Sequence, residues 1–307
     1  MVQLETPVAM IVFRRPDVTR RVFAAVAAAR PKSLFLIADG PRTDCPEESV
    51  LCAEVRKIVT AVDWPCQVET NFAEKNMGLR RRVVSGLNWV FSHVQEAILL
   101  EDDCLPDPSF FPFCAELLDR YRDQPQIGFI AGFNPLEGSF PFQFSYYFSQ
   151  MTHIWGWATW RRAWQHYDGE LQSWPAVREA GLLRLLFPDR RAAAYWSKIF
   201  EGMYQGKGPD TWDYQWAYTC WMQSWVNIVP RQNLIQNIGF GVDATNTSLS
   251  VPGLNLRASS IPFPLRHPPA VTPWPAHLRE TQRRFFSRSI IRRILDRIRP
   301  WLGSVAH

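Results

Sequence analysis

Short apolar runs alternate with amphipathic stretches along the first part of the chain. Residues 8–13, 34–38 and 97–100 form runs that are apolar on both sides, which is typical of strands buried in a parallel sheet. Between these runs, apolar residues recur at helical spacing, most clearly over residues 83–94. The alternation predicts an α/β fold with a single Rossmann-like, mostly parallel sheet flanked by helices.

The same pattern predicts further elements and then breaks down. Strands are expected at 66–70, 127–131 and 226–229, and helices at 47–62, 110–121, 176–186, 192–204 and 214–225. Residues 132–164 are instead dense in aromatic residues and glycine, with no clear period. We predict one domain over residues 1–275, with halves at 1–133 and 134–275.

The last segment, residues 276–307, has a different character. Apolar residues recur at helical spacing over residues 278–302, and arginines surround them. A basic amphipathic helix of this kind can lie on an anionic membrane surface, or it can pack on the protein's own body. No apolar stretch reaches the roughly 20 residues of a membrane span, and no signal peptide is evident.

Composition narrows the classes of partner. The chain of 307 residues carries a formal net charge of +5, which suits phosphate-bearing ligands, but it has no nucleic-acid-binding signature, so no nucleic-acid partner is expected. The 14 tryptophans and 20 phenylalanines offer platforms for sugar rings or bases as well as core volume. Six cysteines without paired spacing indicate reduced thiols in a cytoplasmic protein.

Three adjacent carboxylates follow the run at 97–100: Glu101, Asp102 and Asp103. Ligands of open α/β sheets bind beyond the carboxyl ends of the strands, where this triplet would lie. Like charges crowded there call for a cation, and Mn²⁺ or Mg²⁺ with oxygen ligands would in turn hold a diphosphate. The alternative is a solvated acidic loop.

Other polar residues follow neighbouring predicted strands and would share that edge of the sheet. Arg14 and Arg15 end the first strand, Asp39 ends the second, and Asn76, Gly78 and Arg80 open the helix before the carboxylate strand. Arginines pair with phosphate oxygens, and a carboxylate can accept from the N–H of a base. Taken singly, each of these residues is equally typical of turn chemistry.

Several motifs together resemble a known family. These are the apolar strand ending in Asp39, N-M-G-L-R, L-L-E-D-D with P-D-P-S-F-F behind it, and W-G-W-A-T-W. They resemble GT-A-fold glycosyltransferases, in particular bacterial members near glycosyltransferase family 2. The E-D-D is also similar to that of the Golgi N-acetylglucosaminyltransferase that begins complex N-glycans. The resemblance covers roughly residues 7–247.

The resemblance implies an activity and a donor site. The activity would be metal-dependent, inverting transfer of a sugar from a nucleotide-diphosphate donor, preferably a UDP-sugar, to a hydroxyl of a glycan or lipid-linked acceptor. Asp103 would bind the metal, Glu101 and Asp102 would contact the nucleotide or the metal's waters, and Asp39 would read the base. Three more residues would lie near the donor: Arg14, Asn76 and Arg80.

It also implies an acceptor half at 134–275. In T-W-D-Y-Q-W, Asp213 would be the base that deprotonates the acceptor hydroxyl, with Asp210 as its rival; a helix N-cap is the structural alternative for Asp213. Sugar would rest on an aromatic floor, for which core packing is the alternative. The residues of this floor are Trp155, Gly156, Trp157, Trp160 and Trp212.

A second metal ligand and the rival functions stay open. Relatives often carry a histidine where this chain has Asn246; His267 is a candidate replacement, although a lone loop histidine more often has no such role, and His153 is expected to pack. The rivals are a sugar-phosphate nucleotidyltransferase, which usually has a glycine-rich, lysine-bearing loop in place of F-R-R-P, and a non-catalytic glycan-binding or scaffold relative. The basic C-terminal helix suggests envelope polysaccharide synthesis at the inner face of the membrane.

Overall fold

A computed structural model of the chain describes residues 3–240 and 256–286. These residues divide into two compact units; one division, between 274 and 275, lies within one residue of the predicted boundary at 275/276, and none falls at 133/134. The chain leaves the first unit after Gly169 and rejoins it at Asp210, because the intervening helices pack with residues 275–286. The first unit contains 3–169, 210–240 and 256–274; the second contains 170–209 and 275–286.

Ten strands are present in the described residues, and eight of them form the central sheet of the first unit in the order β3-β2-β1-β4-β8-β6-β9-β7. The remaining two, β5 and β10, pair with each other in an antiparallel ribbon. The strands are β1 (Val8–Val12), β2 (Ser33–Ala38), β3 (Gln67–Phe72), β4 (Glu96–Glu101), β5 (Cys104–Pro106), β6 (Ile127–Ala131), β7 (Tyr146–Ser149), β8 (Trp157–Trp160), β9 (Val226–Pro230) and β10 (Ile235–Asn237).

The predicted mostly parallel sheet is confirmed. Strand β1 pairs in parallel with β2 on one side and with β4 on the other, and Ile11 lies opposite Glu101. Strands β6 and β9 run in the same direction as β4, whereas β7 and β8 run against it. The carboxyl ends of β1, β2, β4, β6 and β9 therefore meet at one edge of the sheet.

Helices cover the sheet where the apolar periodicity placed them. In α3, four residues of the predicted apolar stripe (Val83, Leu87, Val90 and Phe91) are buried in the core, and the other two, Val84 and Val94, are partly buried against the same cluster. Helix α1 begins at Pro16, whose fixed φ suits the first helical turn. The helices of the first unit are α1 (Pro16–Ala29), α2 (Glu48–Thr60), α3 (Leu79–His93), α4 (Phe110–Arg120), α5 (Arg161–Trp164) and α9 (Asp213–Met222).

Two strands lie in the aromatic segment for which the sequence predicted no element. Strand β8, inside W-G-W-A-T-W, inserts between β4 and β6 and runs antiparallel to both. Trp157 and Trp160 fall on opposite faces of the sheet, and each is packed into a separate hydrophobic cluster. Because both faces of this strand are covered by other elements, its sequence is apolar on both sides and shows no alternation.

The second unit is helical in its described part. Its helices are α6 (Trp174–Glu179), α7 (Leu183–Leu186), α8 (Arg190–Tyr204) and α10 (Pro275–Thr281), followed by a π-helical turn at Gln282–Phe286. Phe286 of this turn packs on Tyr195 and Trp196 of α8, so the predicted C-terminal helix begins by contacting the protein's own body. The rest of that prediction, residues 287–302, lies outside the described residues.

Membrane contact of residues 278–302 therefore stays a prediction. Among the described helices, none has both the length and the apolar character needed to cross a bilayer.

Candidate functional site

The carboxyl end of β4 carries the three predicted carboxylates, and Arg15 joins them from the end of β1. Asp102 is only 4 % exposed. The Arg15 guanidinium forms an ion pair with Asp102, and its Nη2 lies 2.9 Å from Oδ2 of Asp103. Because β1 and β4 are neighbours in the sheet, residues that end these strands meet without any long loop.

Glu101 lies in the most negative part of this cluster. Burial raises its pKa to about 8, and the charges of Asp103, Asp102 and Asp213 add to that rise, whereas Arg15 opposes it. Because the charge of Asp213 contributes to this rise, a residue of helix α9, which is distant in sequence, influences the pKa of a residue at the end of β4. The structure thus brings together four of the acidic residues selected from the sequence.

Asp213 occupies the first turn of α9. Burial raises the pKa of its carboxyl, and hydrogen bonds from the Thr211 hydroxyl and from nearby backbone amides partly offset this rise. The residue at the N-cap position is Trp212, and it makes no side-chain capping bond. A half-buried carboxylate with a raised pKa is suited to accepting a proton.

Asp210, the rival base, has a structural role. Its Oδ2 accepts from the amide of Leu79 at 2.8 Å, and its Oδ1 accepts from the amide of Arg80 at 3.1 Å. These are exposed amides of the first turn of α3, and a negative charge there also complements the helix dipole. Gly78 allows this approach, because a Cβ at its φ of 80° would lie 2.7 Å from Oδ2 of Asp210.

We expect Asp210→Ala to lower the free energy of unfolding by about 0.5–2 kcal/mol, the usual cost of losing a helix cap. Urea unfolding followed by circular dichroism would measure this change. Asp168→Ala, whose carboxylate caps no described helix, serves as the control. A loss of activity without a loss of stability in Asp210→Ala would contradict the structural role.

Asp39 ties the end of β2 to the turn before α3. Its carboxylate accepts from the amides of Gly40 at 2.8 Å and Met77 at 2.9 Å, and from Nδ2 of Asn76 at 3.0 Å. Burial raises the pKa of Asp39, while the hydrogen bonds from the backbone amides and the charge of the buried Arg82 oppose the rise. Asn76 is likewise engaged in shaping the turn. Recognition of a base by Asp39 and donor contact by Asn76 stay predictions.

Two predicted donor arginines contact other parts of the first unit. Nε of Arg14 lies 3.2 Å from Oε1 of the buried Glu48, and Nη1 of Arg80 donates to the carbonyl of Gly169 at 3.3 Å. Arg15, the neighbour of Arg14, is the arginine that reaches the carboxylates. Arg14 and Arg15 both follow the first strand, so the sequence alone did not show which of them would reach the carboxylates. The position of β4 beside β1 decides this.

The sequence also gave no reason to select Gly239. The amide of Ile238 donates to the carbonyl of Asp103 at 2.8 Å, next to the β5–β10 ribbon in which Asn237 pairs with Cys104. A Cβ on Gly239 would lie 2.7 Å from Nη1 of Arg15 and would also overlap the Asp103 carboxylate. Glycine at this position therefore lets the chain close over the Arg15–Asp103 pair.

Most of the predicted aromatic floor belongs to the core, which corrects that prediction. Trp157, Trp160 and Trp212 are each 1 % exposed, and the rings of Trp157 and Trp212 stack at 5.3 Å. Gly156 is also buried, with a φ of 57° that favours glycine. Of the five residues, Trp155 alone remains partly exposed, where it packs on Phe133 at 4.5 Å.

The candidate second metal ligand, His267, is used elsewhere, which corrects a further prediction. Its Nδ1 is hydrogen-bonded to the Tyr146 hydroxyl at 2.9 Å, and its Nε2 lies 3.2 Å from Oε1 of Glu116. Both ring nitrogens are therefore engaged away from Asp103. Asn246 lies outside the described residues. Within residues 3–240 and 256–286, no three His, Cys, Asp or Glu side chains form a ready-made metal-binding group.

His153 packs, as expected, against the edge of Phe133. Burial lowers the pKa of its imidazole to about 3. The folded state therefore holds the neutral ring, and its stability is greatest above the unfolded-state pKa of about 6.5 and falls as the pH drops toward 3.

From this shift we expect the free energy of unfolding to drop by about 2 kcal/mol between pH 7 and pH 5 on account of His153 alone. Urea unfolding at the two pH values would measure the drop, and His153→Gln should reduce it. An equal drop in wild type and variant would contradict this assignment. His166→Gln is the matched control.

No protein-family model matches this chain, and no curated protein matches it. The geometry of the described residues therefore carries the information on function. Their main feature is a cluster at one edge of the sheet, to which four separate elements contribute: Arg15 after β1, the three carboxylates at the end of β4, Asp213 on α9 and Gly239 after β10.

Proposed function

We propose that this protein is a GT-A-fold glycosyltransferase that moves a sugar from a nucleotide-diphosphate donor to a hydroxyl of a glycan or lipid-linked acceptor. The observation that carries the proposal is the position of the Glu101–Asp103 triplet at the carboxyl edge of a mostly parallel sheet, with Asp213 near enough for its charge to act on Glu101. That edge is where open α/β sheets bind ligands, and the cluster contains both a group for binding and a group for proton transfer.

A divalent cation fits the donor set. Three carboxylates stand at the end of β4, and Arg15 supplies one positive charge between two of them, so the triplet keeps an excess of negative charge. Carboxylate oxygens are the ligands that Mn²⁺ and Mg²⁺ prefer, and one or two of them normally suffice when a phosphate ligand is also present. Asp103 would hold the ion, with Asp102 beside it; when bound, the ion would neutralise charge on the leaving diphosphate.

The protein's own groups would then divide the remaining work. Asp213 would take the proton from the acceptor hydroxyl as that oxygen attacks the anomeric carbon, which gives inversion. Thr211, which donates to the Asp213 carboxylate, would orient it. Arg15 would hold Asp102 and Asp103 in place, so that their oxygens need not reorganise when the donor binds.

Donor hydrolysis provides the test. Purified protein with Mn²⁺ should slowly release UDP from some UDP-sugar, and a thermal-shift screen of nucleotide sugars with and without Mn²⁺ should find the donor first, because a ligand of the native state raises the melting temperature. If no nucleotide sugar raises the melting temperature or is hydrolysed, the proposal is wrong and the non-catalytic alternative is favoured. Release of pyrophosphate from a nucleoside triphosphate and a sugar phosphate would instead favour a nucleotidyltransferase.

Lipid-linked or envelope glycan synthesis at the cytoplasmic face of a membrane is the setting that the basic segment 278–302 suggests. Protein lacking residues 278–307 should no longer sediment with anionic vesicles that bind the full chain. Unchanged sedimentation would remove the membrane part of the proposal and leave the transfer reaction unaffected.

A further inference from the structure

A pocket separate from the carboxylate cluster lies in the first unit, beside the carboxyl end of β9. Its volume is about 190 Å³, and four aromatic residues line it: Phe140, Phe142, Tyr147 and Trp274. Pockets for drug-sized ligands usually measure roughly 300–1,000 Å³. This aromatic pocket is therefore of a size for one ring, and none of its residues belongs to the carboxylate cluster.

The rings of the aromatic pocket hold one another in place. Phe142 and Trp274 stack at 5.0 Å with an angle of 30° between their planes, Phe140 meets Trp274 at 4.8 Å, and Tyr147 meets it at 5.3 Å. The Tyr147 hydroxyl donates to Oδ1 of Asn134 at 3.1 Å. A platform that is fixed in this way loses little freedom when a ligand stacks on it.

Polar groups complete the lining. Oε1 of Gln232 is buried and accepts no hydrogen bond from the described residues. A buried acceptor of this kind is costly unless a ligand donates to it. Arg231 and Glu137 also line the aromatic pocket, and their opposite charges suit a neutral ligand with many hydroxyls better than they suit a phosphate.

We infer that the aromatic pocket binds one neutral pyranose ring, with its apolar C–H face on Trp274 and a hydroxyl donating to Gln232. The ring stacking and the unsatisfied acceptor both point to this chemistry. Strand β9 lies three positions from β4 in the sheet, which at ~4.8 Å per strand is about 14 Å. The pocket and the carboxylate cluster would therefore hold different sugar units of an acceptor, a role that rests on the proposed function, whereas binding itself does not.

Saturation-transfer NMR with the full chain would test this inference, using three neutral probes: methyl β-D-glucopyranoside, methyl β-D-galactopyranoside and methyl α-D-mannopyranoside. Irradiation of the aromatic protons should give signals from the ring C–H protons of at least one probe. Trp274→Leu, which removes the ring but keeps an apolar side chain, and Gln232→Met, which keeps the side-chain length, should each raise the Kd of that probe about tenfold. Tyr204→Ala removes an exposed aromatic that does not line the pocket and should leave the Kd unchanged.

Several results would overturn the inference. One is the absence of a saturation-transfer signal from all three probes, and another is a wild-type Kd in both pocket variants. The others are tighter binding of glucuronate than of any neutral probe and displacement of the probe by UDP with Mn²⁺. Retained binding in Asp103→Asn would support a separate site. The binding assay contains no donor, so it is independent of the proposed transfer reaction. If the protein binds the probe but hydrolyses no UDP-sugar, the transfer reaction is refuted and the assignment of the pocket as a sugar site stands.

Discussion

Asp103→Asn should lower Mn²⁺-dependent release of UDP from the donor by about 10²–10³-fold, the usual cost of removing one group that stabilises developing charge. An amide keeps the shape of the side chain but is a poor ligand for a hard cation. Arg15 would keep its ion pair with Asp102, so the local fold should survive. Steady-state kinetics over a Mn²⁺ titration would separate weaker metal binding from slower chemistry.

The matched control is Asp119→Asn, an exposed carboxylate near the end of α4 with 75 % of its side chain accessible. It should leave both UDP release and the Mn²⁺ dependence at wild-type values. If Asp103→Asn retains wild-type turnover at every Mn²⁺ concentration, Asp103 does not hold the metal, and the assignment of the cluster as a donor site loses its basis.

Asp213→Asn should slow sugar transfer by about 10²–10⁴-fold, the usual contribution of a positioned general base. The donor KM should change little, because the replaced group acts on the acceptor. The amide can still accept from the Thr211 hydroxyl. Transfer measured with acceptor present, compared with hydrolysis in its absence, would isolate this effect.

The pH profile gives a second readout for Asp213. A base must be ionised, and burial raises the pKa of this carboxyl above its ordinary value, so transfer by the wild type should fall as the pH drops through that raised pKa. The same shift means that the ionised form disfavours folding, hence Asp213→Asn should melt at or above the wild-type temperature at neutral pH. A variant with near-wild-type transfer, or an unchanged acidic limb, would show that another group is the base.

The first half of the fold could be predicted well because its signals are local. Strands β1, β2 and β4 are buried on both faces and read as continuous apolar runs, while α3 reads as one clear apolar stripe. Strand β8 could not be predicted in the same way. Both of its faces are covered by core residues, and its partners β4 and β6 are distant in sequence and both run in the opposite direction, so no local period reveals it.

The tryptophans were misassigned for a related reason. An aromatic-rich, glycine-containing segment is typical of both a sugar platform and a core, and only burial distinguishes the two. Once β8 enters the sheet, Trp157 and Trp160 must point into opposite core layers. The residues that do line an aromatic pocket, such as Phe142 and Trp274, are far apart in sequence and carry no shared motif.

By itself, the sequence determined that an apolar strand ends in Glu101, Asp102 and Asp103, and that this strand belongs to a mostly parallel sheet, because hydrophobic periodicity and chain breakers act over a few residues. Tertiary structure alone decided which other groups meet that triplet. Arg15 rather than Arg14 reaches it, Asp213 joins it while Asp210 caps α3, and Gly239 closes over it. Those choices depend on strand order and helix placement, which are long-range packing outcomes that no local pattern encodes.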